Sequence, residues 1–314
     1  MKRLSEPTLR ETIDRGHEAR RAGRLDEARA HYYRALEMAP HDPEANSLFG
    51  LVLLNQGRIA EAEPVLRKAV EKDPQHIGYR INLAEMFERK GSLDEAIAAF
   101  QAVANLAPDF PKAWERLGDL SVKTANGANA FVCYQRAAVL EPNNPAILIK
   151  WASTAMTMNR LAEARQILER ALRAAPDNPA AFQLYVDLLI SQNDWRALEQ
   201  VAAARTRAQP TDAAAWQALT TAFYETGRLR EAMELYRNVL THSQRDAPRL
   251  TAYAQYCLNV SEFEEAEEAL GEAEALDPDH VEMLSAKALL LTYLGRFDEA
   301  EAYCRRCLAK EPAH

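Results

Sequence analysis

The chain is short of the residues from which compact chemistry is usually built. Four cysteines in 314 residues, lying toward one end, are too few for a disulfide framework. Glycine is scarce at 11 residues, which leaves little material for a phosphate-cradling loop. No stretch reaches the roughly 18 apolar residues that a membrane-spanning helix needs. The opening residues, Met1 to Glu6, lead into more charge and not into the apolar core of a secretory signal. These absences predict a cytoplasmic protein that does not insert into membrane. An excess of positive charge is missing too. The net charge of −8 argues against nucleic-acid binding through a basic surface. Nearly all of that charge is local, because residues 261–314 hold fourteen acidic against five basic side chains. What remains, 48% hydrophobic and 27% charged, is the composition of an ordinary globular protein.

What is present is periodicity. Prolines stand at Pro40, Pro74, Pro108, Pro142, Pro176, Pro210, Pro278 and Pro312. Each step is 34 residues except the one from Pro210 to Pro278, which is 68 and skips a point at Gln244. Other columns keep the step. Twelve residues before each point stand Ala28, Ala62, Ala96, Ala130, Ala164, Leu198, Ala232, Ala266 and Ala300. Eight before it the residue is mostly aromatic or leucine, as at Tyr32, Leu66, Phe100 and Tyr134. Seventeen before it run Gly23, Gly57, Gly91, Ala125, Asn159, Asn193, Gly227, Ser261 and Gly295.

These columns specify one physical object. Glycine or asparagine adopts the left-handed conformation that ends a helix, so the last column marks a tight turn. Apolar residues at helical spacing lie on both sides of it. Alanines let the two helices approach, bulky neighbours fill the gaps, and proline closes the second helix. Each repeat is therefore an antiparallel pair, helix A then helix B, and the pairs must stack to bury their apolar faces.

A 34-residue helix–turn–helix with this pattern resembles the tetratricopeptide repeat. The fourth repeat carries it well, in Trp114, Leu117 and Gly118 followed by Ala130, Tyr134, Ala137 and Pro142. The resemblance implies an all-α, right-handed solenoid of about nine antiparallel helix pairs in one array. The repeats fall at about 9–42, 43–76, 77–110, 111–144, 145–178, 179–212, 213–246, 247–280 and 281–314. Leu198, Ala202 and Arg205 depart from the pattern, and the seventh repeat lacks its proline, so a hinge is expected between 195 and 247. Thr12 and Arg15 at apolar sites of the first repeat suit an end that faces water.

Searching for chemistry finds little. Phosphate-loop, dinucleotide, nucleophile-elbow and zinc-protease motifs are absent, and no cofactor, metal or catalytic residue is expected. Cys304 and Cys307 form a Cys-x-x-Cys, a pattern that serves redox or zinc chemistry. Both fall on core columns of helix B, where small buried cysteines also serve as filler. His41, His76 and His280 follow lattice prolines and read as exposed loop residues. Trp114, Trp151, Trp216, Tyr185 and Tyr253 read as core. Trp195 stands in a turn, where it can anchor a partner, and the run Glu262 to Glu274 reads as a solvated face or a basic partner's dock.

In the family the resemblance names, helix A lines a groove that holds extended peptides or helices. Carried over position by position, that groove presents Asn82, Lys112, Arg116 and Lys150, with Glu85, Glu115 and Asp119 diluting the positive field. Asn82, Lys112 and Arg116 match part of a dicarboxylate clamp that holds a peptide's C-terminal carboxylates. Ser47 and Leu51 occupy its other two sites, so the clamp is incomplete. The expected function is a non-enzymatic scaffold or adaptor whose partner is a protein or peptide, with acidic groups or a C-terminal carboxylate. The alternative is the recruiting segment of a larger glycosyltransferase- or sulfotransferase-type enzyme, ending at residue 314. An apolar last helix, with Cys307 and Leu308, also raises end-to-end self-association.

Overall fold

The computed structural model describes residues 7–310. They form eighteen helices and, among the described residues, no strand. The chain divides into two compact blocks, the first running to Phe182 and the second starting at Gln183. The first holds α1 (Leu9–Arg21), α2 (Leu25–Met38), α3 (Pro43–Asn55), α4 (Ile59–Lys72), α5 (Ile77–Lys90), α6 (Leu93–Leu106), α7 (Pro111–Lys123), α8 (Gly127–Leu140), α9 (Pro145–Thr157) and α10 (Leu161–Ala174). α11 (Pro179–Ser191) spans the division. The second holds α12 (Trp195–Ala208), α13 (Ala213–Glu225), α14 (Leu229–His242), α15 (Ala247–Asn259), α16 (Phe263–Leu276), α17 (Val281–Tyr293) and α18 (Phe297–Lys310). Within each block the odd-numbered helix packs on the even one that follows it, and that helix packs on the next odd one. This is the α-solenoid arrangement that the periodicity specifies.

All nine residues of the turn column have positive φ, from 53° at Asn193 to 83° at Gly91. At the first turn Gly23 N–H donates to the Arg20 carbonyl and Arg24 N–H reaches back to that of Ala19, the paired closure of a left-handed cap. Glycine is free to take this conformation, while Ala125 holds φ 56° against its Cβ. Ala125→Gly is therefore expected to stabilise the chain by about 0.5–1 kcal/mol. Chemical denaturation should move its midpoint upward, and a lower midpoint would show that the turn is not strained.

A second group of glycines does a different job. Gly16, Gly50 and Gly118 sit inside A helices, where an added Cβ would lie 2.4–2.5 Å from Tyr32, Leu66 and Tyr134 respectively. They let the bulky residue of helix B lie against the backbone of helix A. Tyr32 and Leu66 are fully buried and Tyr134 nearly so.

The proline column does more than end a helix. Its carbonyl accepts a side-chain hydrogen bond from six residues on: Asn46 Nδ2 to Pro40 at 3.2 Å, Arg80 Nε to Pro74 at 2.6 Å, Trp114 Nε1 to Pro108 at 2.9 Å and Trp216 Nε1 to Pro210 at 2.7 Å. Where the proline is missing, the loop changes. Ser243 is extended, with ψ 168°, and its hydroxyl donates to the Val239 carbonyl at 2.6 Å.

Several side chains lie elsewhere than the pattern suggests. Thr12 does not face water. It is buried, with its hydroxyl donating to the Thr8 carbonyl at 2.9 Å, whereas Arg15 is exposed. His76 and His280 are helix caps as well as loop residues, each ring accepting a backbone N–H three residues on. Trp195 is the half-buried first residue of α12 and not a turn residue. Arg205 stands where other repeats keep a small apolar side chain, and it is buried with its Nε 2.6 Å from Asp212 Oδ2. Of the final cysteine pair only Cys307 is buried; Cys304 is exposed.

Candidate functional site

The groove candidates lie on α5, α7 and α9, all in the first block. Each of these helices starts beyond a lattice proline, which fixes its register against its neighbours. Residues 35 apart then face one another, one more than the repeat length. The register brings Asn82 Nδ2 to Ser47 Oγ at 2.8 Å, Lys123 Nζ to Glu88 at 2.7 Å and Lys150 Nζ to Glu115 at 2.7 Å.

The cations do not stand free. Arg116 donates to Glu88 and lies 3.7 Å from Asp119, with its guanidinium carbon 5.7 Å from the Phe100 ring centroid. Lys112 donates to Glu115 at 2.7 Å. Lys150 bridges Glu115 and Asp119, the latter at 2.8 Å, and Asp119 also accepts the Tyr134 hydroxyl at 2.8 Å. The network therefore joins Arg116, Lys112 and Lys150 in one chain of contacts. Asn82 lies outside it, turned to Ser47.

Depth separates the two signs. The carboxylates of Glu88 and Glu115 are 12% and 13% exposed, whereas the ammonium arms of Lys112 and Lys123 are 60% and 52% exposed. Acids form the floor, and flexible cations cover them. Burial pushes the Glu115 carboxyl up, but the ammonium groups of Lys112 and Lys150 more than offset this and hold it below the usual range. Burial likewise works against the charged form of Lys150, and Asp119 and Glu115 overcome it, so its pKa is raised. Tyr134 is raised by burial and by its bond to Asp119.

Two cavities flank the network. One, of about 380 Å³, is lined by Glu85, Glu88, Arg89, Arg116 and Lys123. Glu85 makes no hydrogen bond or ion pair with another described residue, while Arg89 donates to the Leu54 carbonyl at 2.8 Å. The other, of about 630 Å³, is mainly apolar, with Val122, Ile149 and Met158 in its wall, Ser153 and Thr157 as hydroxyls, and Lys150 at its edge. The sequence reading missed this second cavity, as well as Glu88 and Lys123. The 35-residue separation was the signal that carried them.

Burial pushes the Cys133 and Cys257 thiols up to about 11, which keeps them protonated and inert at neutral pH. Among the described residues no group of His, Cys, Asp and Glu is placed to hold a metal ion. No described helix is long and apolar enough to cross a membrane.

Two sequence profiles of the tetratricopeptide repeat match, one at residues 13–77, 48–111, 81–145 and 254–314, the other at 125–185 and 155–223. Among solved structures, PilF of Pseudomonas aeruginosa is similar at 19% identity and a TM-score of 0.52, over 64% of this chain and 92% of that one. MamA of Desulfovibrio magneticus RS-1, from residue 41 to its end, is similar at 17% identity and a TM-score of 0.50, over 55% of this chain and 97% of that one. At these identities the likeness is one of fold.

Proposed function

Because the chain belongs to the tetratricopeptide repeat family, whose fold is that of a protein-interaction scaffold, we propose that it docks a partner protein over α5, α7 and α9. One observation carries the reading: an ordered charge network stands beside a mainly apolar cavity of about 630 Å³ on the same helices. Asn82, Lys112, Arg116 and Lys150 set orientation, and the cavity takes an apolar side chain of the partner. Charge alone is a weak source of affinity here. Each basic side chain of this set already holds a carboxylate, so an acidic ligand must displace an existing pair, and exposed pairs are worth roughly 0–1 kcal/mol. Burial of one large apolar side chain supplies about 1.5–3 kcal/mol. The partner segment is therefore an apolar anchor flanked by acidic residues.

The test is comparative capture from the source cell. Ser153→Trp fills the cavity and should lower recovery of the specific partner about tenfold, and Arg116→Gln should lower it less. Val139→Glu, at a 68% exposed site on α8, serves as the control and should leave recovery unchanged. Equal recovery by Ser153→Trp and the unaltered chain would move recognition away from these helices.

A further inference from the structure

Arginines in this chain mostly have carboxylate partners. Arg58 holds Glu61, Arg160 holds Glu163, Arg237 holds Glu265 and Arg296 holds Glu299. Arg170 and Arg173 on α10 are among the exceptions, since neither makes an ion pair or a hydrogen bond with another described residue. They are three residues apart on one helix face, where like charges repel. With Pro142, Asn143 and Ala174 they line a cavity of about 400 Å³ between the end of α10 and the loop after α8. The acidic residue in that loop, Glu141, is taken by Asn144 Nδ2 at 2.6 Å, and Glu169 lies 3.5 Å from Arg165. The Arg170 guanidinium carbon lies 5.9 Å from the centroid of the Trp151 ring, itself 8% exposed. The helix dipole favours a cation in the last turn of α10 and so accounts for Arg173. It does not account for a second cation lining the same cavity with no counter-charge.

We propose that Arg170 and Arg173, with Asn143 across the cavity, bind a phosphate monoester. Guanidinium stays charged at any ordinary pH and offers a fork of donors matched to phosphate oxygens. Two such forks and an amide make a site rich in donors and lacking a carboxylate, which rejects cations and suits a dianion. The volume exceeds that of a bare phosphate ion and leaves room for the carbon that carries it. The site is separate from the α5–α7–α9 groove, whose basic groups are occupied by the chain's own acids.

Titration calorimetry of the full chain at low ionic strength tests this, with inorganic phosphate, a phosphoserine peptide and its unphosphorylated form as probes. Saturable binding of one phosphate per chain is expected, weakened at least about tenfold by Arg170→Gln with Arg173→Gln. The double variant replaces the exposed Arg173 and the half-buried Arg170, and unchanged helical circular dichroism will confirm its fold. Lys112→Gln with Lys123→Gln, in the groove, should bind phosphate as the unaltered chain does. Tighter binding of the phosphopeptide than of free phosphate assigns the site to a phosphorylated partner, and equal binding assigns it to a small phosphate compound. The proposal is overturned if no saturable binding appears up to roughly 20 mM phosphate. It is equally overturned if the double variant binds like the unaltered chain, or if the unphosphorylated peptide binds as well as the phosphorylated one.

Discussion

Gly118→Ala should destabilise the chain by about 2 kcal/mol, although alanine is the better helix former by about 1 kcal/mol. The added methyl would lie 2.5 Å from Tyr134 Cε1 and 2.7 Å from Cδ1. The ring cannot step aside, since it is 3% exposed and its hydroxyl is tied to Asp119. The chain contains its own remedy. At the equivalent positions of the fifth and eighth repeats alanine is matched with leucine, as Ala152 with Leu168 and Ala254 with Leu270, all buried. Gly118→Ala combined with Tyr134→Leu should therefore recover most of the loss. Urea denaturation of the single and double variants measures both. A single variant more stable than the parent would show that the contact yields freely.

Asp212→Ala should cost about 3 kcal/mol. The carboxylate serves two elements of the second block. One oxygen takes Arg205 Nε at 2.6 Å, and the other accepts the Ala214 and Ala215 amides at 3.0 and 3.3 Å, capping α13. Removing it leaves a buried guanidinium with less compensation and a helix without its cap. Arg205→Met should be far milder, because an apolar chain of similar length fits a site that other repeats keep apolar and Asp212 still caps α13. Hydrogen exchange across α12 and α13, read beside the denaturation midpoint, separates the two. If both substitutions cost the same, the ion pair and not the cap dominates.

The backbone was legible because its signals are local. A left-handed turn constrains one residue, a proline removes one donor, and the small-residue columns announce close packing. The nine turn positions could be named from the 34-residue spacing alone, including Ala125 and Ser261, where the residue type argues against the conformation. Side-chain pairing was less legible for a geometric reason. Positions that face one another on successive A helices differ by 35 residues and not 34, so an alignment at the repeat period sets Arg116 beside Lys150 and misses that Glu115 faces Lys150. Read at the period, the cluster looks positive; read at the true separation, it is an acidic floor with basic covers. Thr12 shows the same limit, since its hydroxyl is satisfied by the preceding backbone turn and so enters the core at little cost.

Side-chain bonds between successive repeats span 35 residues along the chain, as from Ser47 to Asn82 and from Tyr224 to Asn259. Closing so short a loop costs little entropy, and the cost does not grow as repeats are added. A nascent chain can thus complete each pair about one repeat after it is made, without waiting for a distant strand or terminus. The same locality makes deletion of a whole repeat a change of length and not a breach of topology. Opening of one pair weakens its neighbours most, so protection from exchange should fall off by distance along the sequence.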